Sequence, residues 1–99
     1  RIREVIGLGY KDLPKMINIV DEVKTMITNH NEIDHSQTTI VNFDSYNDSS
    51  IDFFIITYAK TTQWVKYHEI KQDVLMKIGK IIEKNNAEIA FPTRVELRE

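Results

Sequence analysis

The order of its predicted elements constrains this chain more than any other feature. Short runs rich in β-branched and aromatic residues alternate with two longer stretches in which apolar residues recur every three or four positions. The first pattern is typical of strands and the second of amphipathic helices. Along the 99 residues the order is strand, helix, strand, strand, helix, strand.

The first half of the chain predicts a strand followed by a helix. The strand is "IREVIGLGY", and its glycines Gly7 and Gly9 indicate a strand end that lies close to other backbone. Asp12 is expected to cap the helix, with Pro14 in a first turn, where proline is tolerated. The helix should run to about His30, and "NHNEIDHSQ" then predicts a loop. Its apolar stripe comprises Met16, Ile17, Val20, Val23 and Ile27.

The second half predicts a hairpin and a second helix. "TTIVNFDSY" and "IDFFIITYAK" are strand-like runs joined by "NDSS", whose short polar side chains favour a turn. Thr61 or Thr62 is expected to cap the helix, which should end near Asn85 and Asn86. Its buried stripe comprises Tyr67, Ile70, Val74, Ile78, Ile81 and Ile82.

The last predicted strand, "EIAFPTRVELRE", contains a proline. Ile89, Phe91, Val95 and Leu97 share one parity, so they should lie on one face. Because Pro92 has no N–H for a ladder, the strand is expected at a sheet edge, with that nitrogen facing outward. Two right-handed crossovers would place it outside the first strand. The prediction is therefore an α+β, ferredoxin-like βαββαβ sandwich, an antiparallel sheet with two helices on one face.

Size and composition exclude several classes of protein. A length of 99 residues predicts a single domain over residues 1–99, and the start at Arg1 indicates a fragment of a longer protein. A net charge of −2 gives no general attraction to nucleic acid. The chain has no cysteine, which excludes disulfides and thiolate metal sites. No apolar run reaches the roughly 18 residues that span a bilayer, so no direct membrane contact is expected of this fragment.

The sequence predicts no catalytic, cofactor-binding or metal-ligating site. His30, His35 and His68 lack metal-ligand spacing, so all three are expected to be surface histidines. Ser49 and Ser50 have no histidine fixed nearby that would indicate a hydrolytic triad. The "GLG" of the first strand is too short for a dinucleotide loop. An enzyme is therefore not expected.

The third strand predicts a contact surface. Alternate residues beginning with Ile51 should face the helices. The intervening Phe54, Ile56 and Tyr58 would then point to the face that two helices leave open, and three successive apolar residues there predict an interface with a partner. Trp64 is expected to pack locally against the hairpin, with an interface anchor as the alternative.

Three segments together resemble one known family. These are "GLGY…P" at residues 7–14, "NDSSIDFFIITYAKTTQW" at residues 47–64 and "IAFPTR" at residues 89–94. They are similar to the C-terminal cytoplasmic domain of the small-conductance mechanosensitive channel (MscS) family. Asn47 replaces a glycine usual in that family, and it is expected to accept a left-handed turn conformation. The matching motif residues are Asp48, Ser49, Ser50, Thr61, Thr62, Trp64, Phe91, Pro92 and Arg94.

The resemblance implies a role within a membrane channel. It implies a tension-gated ion channel at the bacterial inner membrane that releases solutes on osmotic downshock. It further implies a homo-heptamer whose subunits form a hollow cage on the cytoplasmic face, with this domain in the lower wall. Partners would be the other subunits and the preceding β-domain, and side openings between subunits would admit solutes. The sequence after Arg94 departs from the family, which leaves open whether a C-terminal barrel follows.

Two other functions fit the predicted fold. A free-standing ferredoxin-like regulatory module would bind a small ligand at a subunit interface. An acylphosphatase-like enzyme would need an arginine in the loop after the first strand, where "LGYKDLP" offers only Lys11. The channel domain is the leading interpretation because the resemblance covers nearly the whole chain.

Overall fold

A computed structural model of the chain describes residues 1–90. Its elements are β1 (Ile2–Leu8), a short 3-10 helix (Tyr10–Lys15), α1 (Met16–Thr28), β2 (Ile40–Tyr46), β3 (Ile51–Thr57) and α2 (Trp64–Lys84). Phe91, Pro92 and Arg94, and with them most of the predicted last strand, lie outside the described residues. The five predicted helices and strands before that strand are confirmed.

The three described strands form an antiparallel sheet in the order β1-β3-β2. Ile6 of β1 and Phe43 of β2 both lie opposite Phe53, so β3 is the central strand. The register of β2 shifts between Phe43 and Ser45, which makes a bulge at Asp44. This sheet order and its two helices confirm the predicted ferredoxin-like α+β class.

The chain leaving α2 meets the free side of β1. Leu8 and Ile89 form an antiparallel bridge. The Gly9 N–H donates to the Glu88 carbonyl at 3.4 Å, and the Ala90 N–H donates to the Gly7 carbonyl at 2.9 Å. This pairing is where the two crossovers placed the start of the last strand.

Both helices cover the same face of the sheet. The most deeply buried positions of β3 are Ile51, Phe53 and Ile55, which belong to one continuous core with residues of both helices. The α1 stripe differs from the prediction at one position, since Ile17 is exposed and Ile19 is buried instead. The buried helical residues are Met16, Ile19, Val20, Val23, Ile27, Ile70, Val74, Ile78 and Ile82.

The predicted caps are wrong at both helices. Asp12 lies inside the 3-10 helix, which accommodates Pro14 and delays the start of α1. The N-cap of α2 is Gln63, and its side chain makes no cap bond. The Thr61 hydroxyl accepts the N–H of Gln63 at 3.0 Å and so does not cap the helix. Thr62 makes no cap either.

Of two conformational predictions, the one for Asn47 fails and the one for the end of β1 holds. Asn47 is not left-handed, since the positive φ found among residues 1–90 belongs to Asn86, at 58°, just after α2. A left-handed residue there ends a helix. The predicted approach of this strand end to other backbone is confirmed, since Gly9 and Gly7 both hydrogen-bond the segment after α2. Gly7 is also tightly placed, because a Cβ there would lie 2.8 Å from Asp52 Oδ1, whereas a Cβ on Gly9 would meet no atom within 4 Å.

Asp12 fastens the 3-10 helix to the segment after α2. Its buried carboxylate accepts the Glu88 N–H at 2.9 Å and lies 3.4 Å from Lys15 Nζ and 3.6 Å from Lys11 Nζ. Burial raises the pKa of Asp12, but the Glu88 hydrogen bond and the two lysines outweigh it, so the pKa is lowered overall. The charged form of Asp12 therefore stabilises the fold.

His30 holds the loop after α1 against α2. Its side chain is only 8% exposed, and Nε2 lies 2.6 Å from Asp73 Oδ2. Nδ1 accepts the Glu32 N–H at 3.1 Å, which assigns the ring proton to Nε2. The prediction of a surface histidine is wrong here. The ring contacts Asp73 of α2, which lies 43 residues further along the chain, so no local sequence pattern indicates the contact. His35 and His68 are exposed as predicted.

Replacing Asp12 should destabilise the chain in a pH-dependent way. We expect Asp12→Ala to lower the free energy of unfolding by about 1–3 kcal/mol at neutral pH, because the Glu88 N–H loses its buried acceptor. Since the pKa of Asp12 is lowered in the folded state, this contribution is present above about pH 4 and is lost as the pH falls through the folded value. Urea unfolding at several pH values measures it.

The exposed turn residue Asp48 offers a matched control. Asp48→Ala should change the stability by less than about 0.5 kcal/mol. Equal stability of the Asp12→Ala variant and the unmodified chain at neutral pH would contradict the role given to Asp12.

Candidate interface on the open face of the sheet

The face of the sheet opposite the helices is the candidate functional surface. The register places Val5 and Asn42 on either side of Phe54, and Arg3 and Ile40 on either side of Ile56. Residues directly opposite each other on neighbouring strands share a face. We call this set the open face: Arg3, Val5, Ile40, Asn42, Phe54 and Ile56.

The open face carries an apolar row across all three strands. Val5 is 48% exposed and Ile40 is 37% exposed, while Phe54 and Ile56 are half-buried between them. Neighbours of this kind have Cβ atoms about 4.5–5.5 Å apart, so their side chains make one continuous surface. The sequence analysis found Phe54 and Ile56 but missed Val5 and Ile40, because only the strand register reveals cross-strand neighbours.

Tyr58 lies just beyond the end of β3 and is half-buried. Its carbonyl accepts the Asp34 N–H at 2.7 Å, and the next residue, Ala59, bridges to the buried Ile33. The loop after α1 therefore fixes the backbone of Tyr58. Its parity continues that of Phe54 and Ile56, which extends the row beyond the strand.

The centre of the open face is uncharged. Arg3 lies at one end, and Asp52 lies opposite Gly7 at the other. Both oxygens of Asp52 are engaged, since Ser50 Oγ donates to Oδ1 at 2.8 Å and Asn47 Nδ2 donates to Oδ2 at 2.6 Å. An apolar centre with polar ends is typical of a protein interface.

The Asp-Ser-Ser motif closes the hairpin. Asp48 and Ser49 are exposed at the tip, and Ser50 is half-buried beside Asp52. The Asn47 N–H donates to the Ser50 carbonyl at 2.8 Å, and the Tyr10 hydroxyl donates to the Asn47 carbonyl. These contacts make the motif a local structural element that links the turn to the 3-10 helix.

The Lys-Thr-Thr-x-Trp motif lies at the opposite end of the sheet. Trp64, the first residue of α2, is 74% exposed and contacts the His68 ring edge-to-face with centroids 4.4 Å apart. The prediction that Trp64 packs against the hairpin is wrong, because its side chain is 74% exposed and its aromatic contact is His68 of the same helix. The structure therefore does not gather the described motif residues into one site.

Residues 1–90 contain neither a metal-ligand cluster nor a membrane-spanning helix. In this part of the chain, no group of three or more His, Cys, Asp or Glu side chains is placed to hold a metal ion. None of its helices is both long and apolar enough to cross a bilayer.

Comparison with known families identifies the chain. A family model described as "Mechanosensitive ion channel MscS, C-terminal" matches residues 4–89. The chain belongs to the MscS family. The resemblance drawn from the hairpin and helix-start motifs is thereby confirmed, and the matched part of MscS proteins is their C-terminal domain.

Relatives from several organisms agree with this assignment. The chain is 39% identical over 94 residues to the low conductance mechanosensitive channel YnaI of Escherichia coli, covering 95% of this chain and 27% of that protein. It is 34% identical over 95 residues to an uncharacterised MscS family protein of Aquifex aeolicus, covering 95% of this chain and 26% of that protein. The chain thus spans about a quarter of the length of these relatives.

A solved structure shows the same fold. The cryo-EM structure of Arabidopsis thaliana MSL1 superimposes with a TM-score of 0.80 at 19% identity, covering 92% of this chain and 33% of that one. At this identity the likeness concerns the fold alone. It supports the α+β sandwich, with the MscS assignment resting on the family model and the sequence relatives.

Two neighbouring phenylalanines test the division between core and open face. Phe53 is fully buried beneath the helices, whereas Phe54 is half-buried on the open face. We expect Phe53→Ala to cost about 3–5 kcal/mol. We expect Phe54→Ala to cost roughly 1–2 kcal/mol, because less apolar area is lost. Urea unfolding measures both, and equal losses would contradict the described orientation of β3.

Proposed function

We propose that this chain is the single C-terminal cage domain of a tension-gated mechanosensitive channel. In the intact protein it would lie on the cytoplasmic face of the bacterial inner membrane, within a homo-heptamer that releases solutes on osmotic downshock. It would have no catalytic activity of its own. The observation that carries this proposal is the apolar row on the open face, in a chain of the MscS family.

The open face is proposed to contact either a neighbouring subunit or the preceding β-domain. Phe54 and Ile56 provide apolar area at the centre, and Val5 and Ile40 extend it to both outer strands. Tyr58 would contribute an aromatic ring whose hydroxyl can hydrogen-bond at the rim. Aromatic and aliphatic anchors within a polar rim commonly dominate the energy of an interface.

The open face is large enough to contribute to assembly when the subunits are also held together by other parts of the protein. A few half-buried side chains do not make a strong interface for a free domain. When subunits are held together elsewhere, the same contact becomes intramolecular and is favoured by a high effective concentration. The open face would thus set how neighbouring units pack, while other parts of the protein hold them together.

Polar substitution of the open face tests the proposed contact in the intact protein. We expect Phe54→Ser combined with Ile56→Ser to reduce the yield of the assembled oligomer several-fold, because polar groups would be buried without partners. The oligomer is measured by chemical crosslinking in membranes and by native mass spectrometry of detergent extracts.

A matched control uses apolar residues exposed on the helices. Ile17→Ser combined with Val65→Ser removes the same kind of side chain at sites away from the open face. We expect assembly of that variant to be unchanged. Normal oligomer yield in the Phe54 and Ile56 double variant would refute the proposed contact with a neighbouring subunit.

Electrical recording tests the proposed channel activity separately. The intact protein, expressed in cells that lack their own mechanosensitive channels, is expected to give currents that appear with suction on an excised patch. It should also raise survival after osmotic downshock. If suction evoked no current and survival did not rise, the result would favour the free-standing regulatory module. The relatives that are named as channels do not support that alternative.

A further inference from the structure

The two ring nitrogens of His30 make hydrogen bonds of opposite kinds. Nε2 lies 2.6 Å from Asp73 Oδ2 on α2, and Nδ1 accepts the Glu32 N–H at 3.1 Å. An ionised carboxylate only accepts and a backbone N–H only donates, so this arrangement requires the neutral imidazole with its proton on Nε2. Imidazolium donates from both nitrogens and has no acceptor. The charged ring is therefore incompatible with the present position of the Glu32 N–H.

A proton on Nδ1 would act on the two contacts in opposite ways. Lys77, and after it His30, lower the pKa of Asp73, so its carboxylate stays charged near neutral pH and would attract the imidazolium. At Glu32, two N–H donors would face each other at a distance that suits a donor and an acceptor. The ring should therefore stay on α2, and the backbone at Glu32 should move away from it.

Glu32 belongs to a short pairing between the loop after α1 and the end of β3. The Lys60 N–H donates to the Glu32 carbonyl at 2.9 Å, and the Asp34 N–H donates to the Tyr58 carbonyl at 2.7 Å. We call these two hydrogen bonds the loop pairing. Ile33 lies between them and is fully buried, which keeps any displacement local. A shift of the Glu32 backbone would weaken the loop pairing directly.

The surroundings of the ring give solvent access and contain several charges. A cavity of about 180 Å³ lies beside the ring, and Ile70 is the apolar part of its lining. Glu32 lies 3.9 Å from Lys66, and Lys77 contacts both carboxylate oxygens of Asp73. The charged and titratable groups on the elements that meet at the ring are Lys66, Glu69, Asp73 and Lys77 on α2, Glu32, Asp34 and His35 on the loop, and Tyr58 and Lys60 after β3.

We propose that His30 is a pH-sensitive switch, in which protonation of Nδ1 releases the Glu32 N–H and loosens the loop pairing while the ring stays on α2. Histidine is the side chain whose charge ordinarily changes between pH 5 and 8. Every group involved lies within residues 1–90, so the inference does not rest on the proposed channel function. Tyr58, which extends the open face, is the residue through which the switch would reach that surface.

NMR of the 99-residue chain between pH 7.5 and pH 5.0 tests the switch. We expect the ring nitrogen shifts of His30 to show the Nε2–H tautomer at pH 7.5 and the imidazolium at pH 5.0. Over the same interval, the hydrogen-exchange protection factors of the Asp34 and Lys60 amides should fall about tenfold, the loss expected for one broken hydrogen bond. The ring titration and the fall in protection should share one midpoint.

Two glutamine substitutions are matched controls. In His30→Gln, the amide can still accept from Glu32 and donate to Asp73 but cannot gain a proton, so protection should be the same at both pH values. His35→Gln should leave the fall in protection unchanged. His35 is exposed, and its Nε2 contacts the His30 carbonyl, which a neutral or a charged imidazole can serve equally as donor.

Three results in the unmodified chain would each overturn the proposal. They are an Nδ1–H tautomer of His30 at pH 7.5, a ring that stays neutral at pH 5.0, and equal protection of the two amides at both pH values. A fall in protection whose midpoint follows His35 would also overturn it, as would an undiminished fall in His30→Gln. Because the first four results need no substitution, they decide the matter even if the glutamine variant does not fold.

Discussion

The alternation of side chains along β3 is the constraint on which the rest of the structure depends. Successive side chains of a strand point to opposite faces of the sheet. Because β3 is the central strand, its residues form the middle of both faces. Ile51, Phe53 and Ile55 point into the core under both helices, which leaves Phe54 and Ile56 on the other side. Because two helices cover one face, the second face remains available to something outside residues 1–90. The proposed contact in a channel assembly follows from that geometry.

Polar contacts between distant parts of the sequence join the layers at their ends. The Asp12 carboxylate holds the Glu88 backbone, and the His30 ring holds both Glu32 and Asp73. Each group is buried, so losing its partner would leave an unsatisfied polar atom. The sequence predicted that Asp12 caps a helix and that His30 lies on the surface. Both side chains instead hydrogen-bond residues that are far away in the chain.

Family membership and function stand on different observations. The family model and the relatives identify an MscS C-terminal domain, and the solved MSL1 structure shares its fold. A fold shared at low identity does not by itself carry function, because function depends on particular surfaces. The open face is such a surface. It concerns how this domain meets protein that lies outside residues 1–90.

The sequence by itself determined the element order, the α+β class, the family and the two-sided character of β3. These depend on local periodicity and on motifs that are contiguous in the chain. Tertiary structure alone decided that Val5 and Ile40 join Phe54 and Ile56, that Ile19 rather than Ile17 is buried, and that Trp64 is exposed. It also decided the partners of Asp12 and His30. The physical reason is that strand register, helix rotation and long-range hydrogen bonds arise between segments far apart in sequence, where no local pattern records which residues meet.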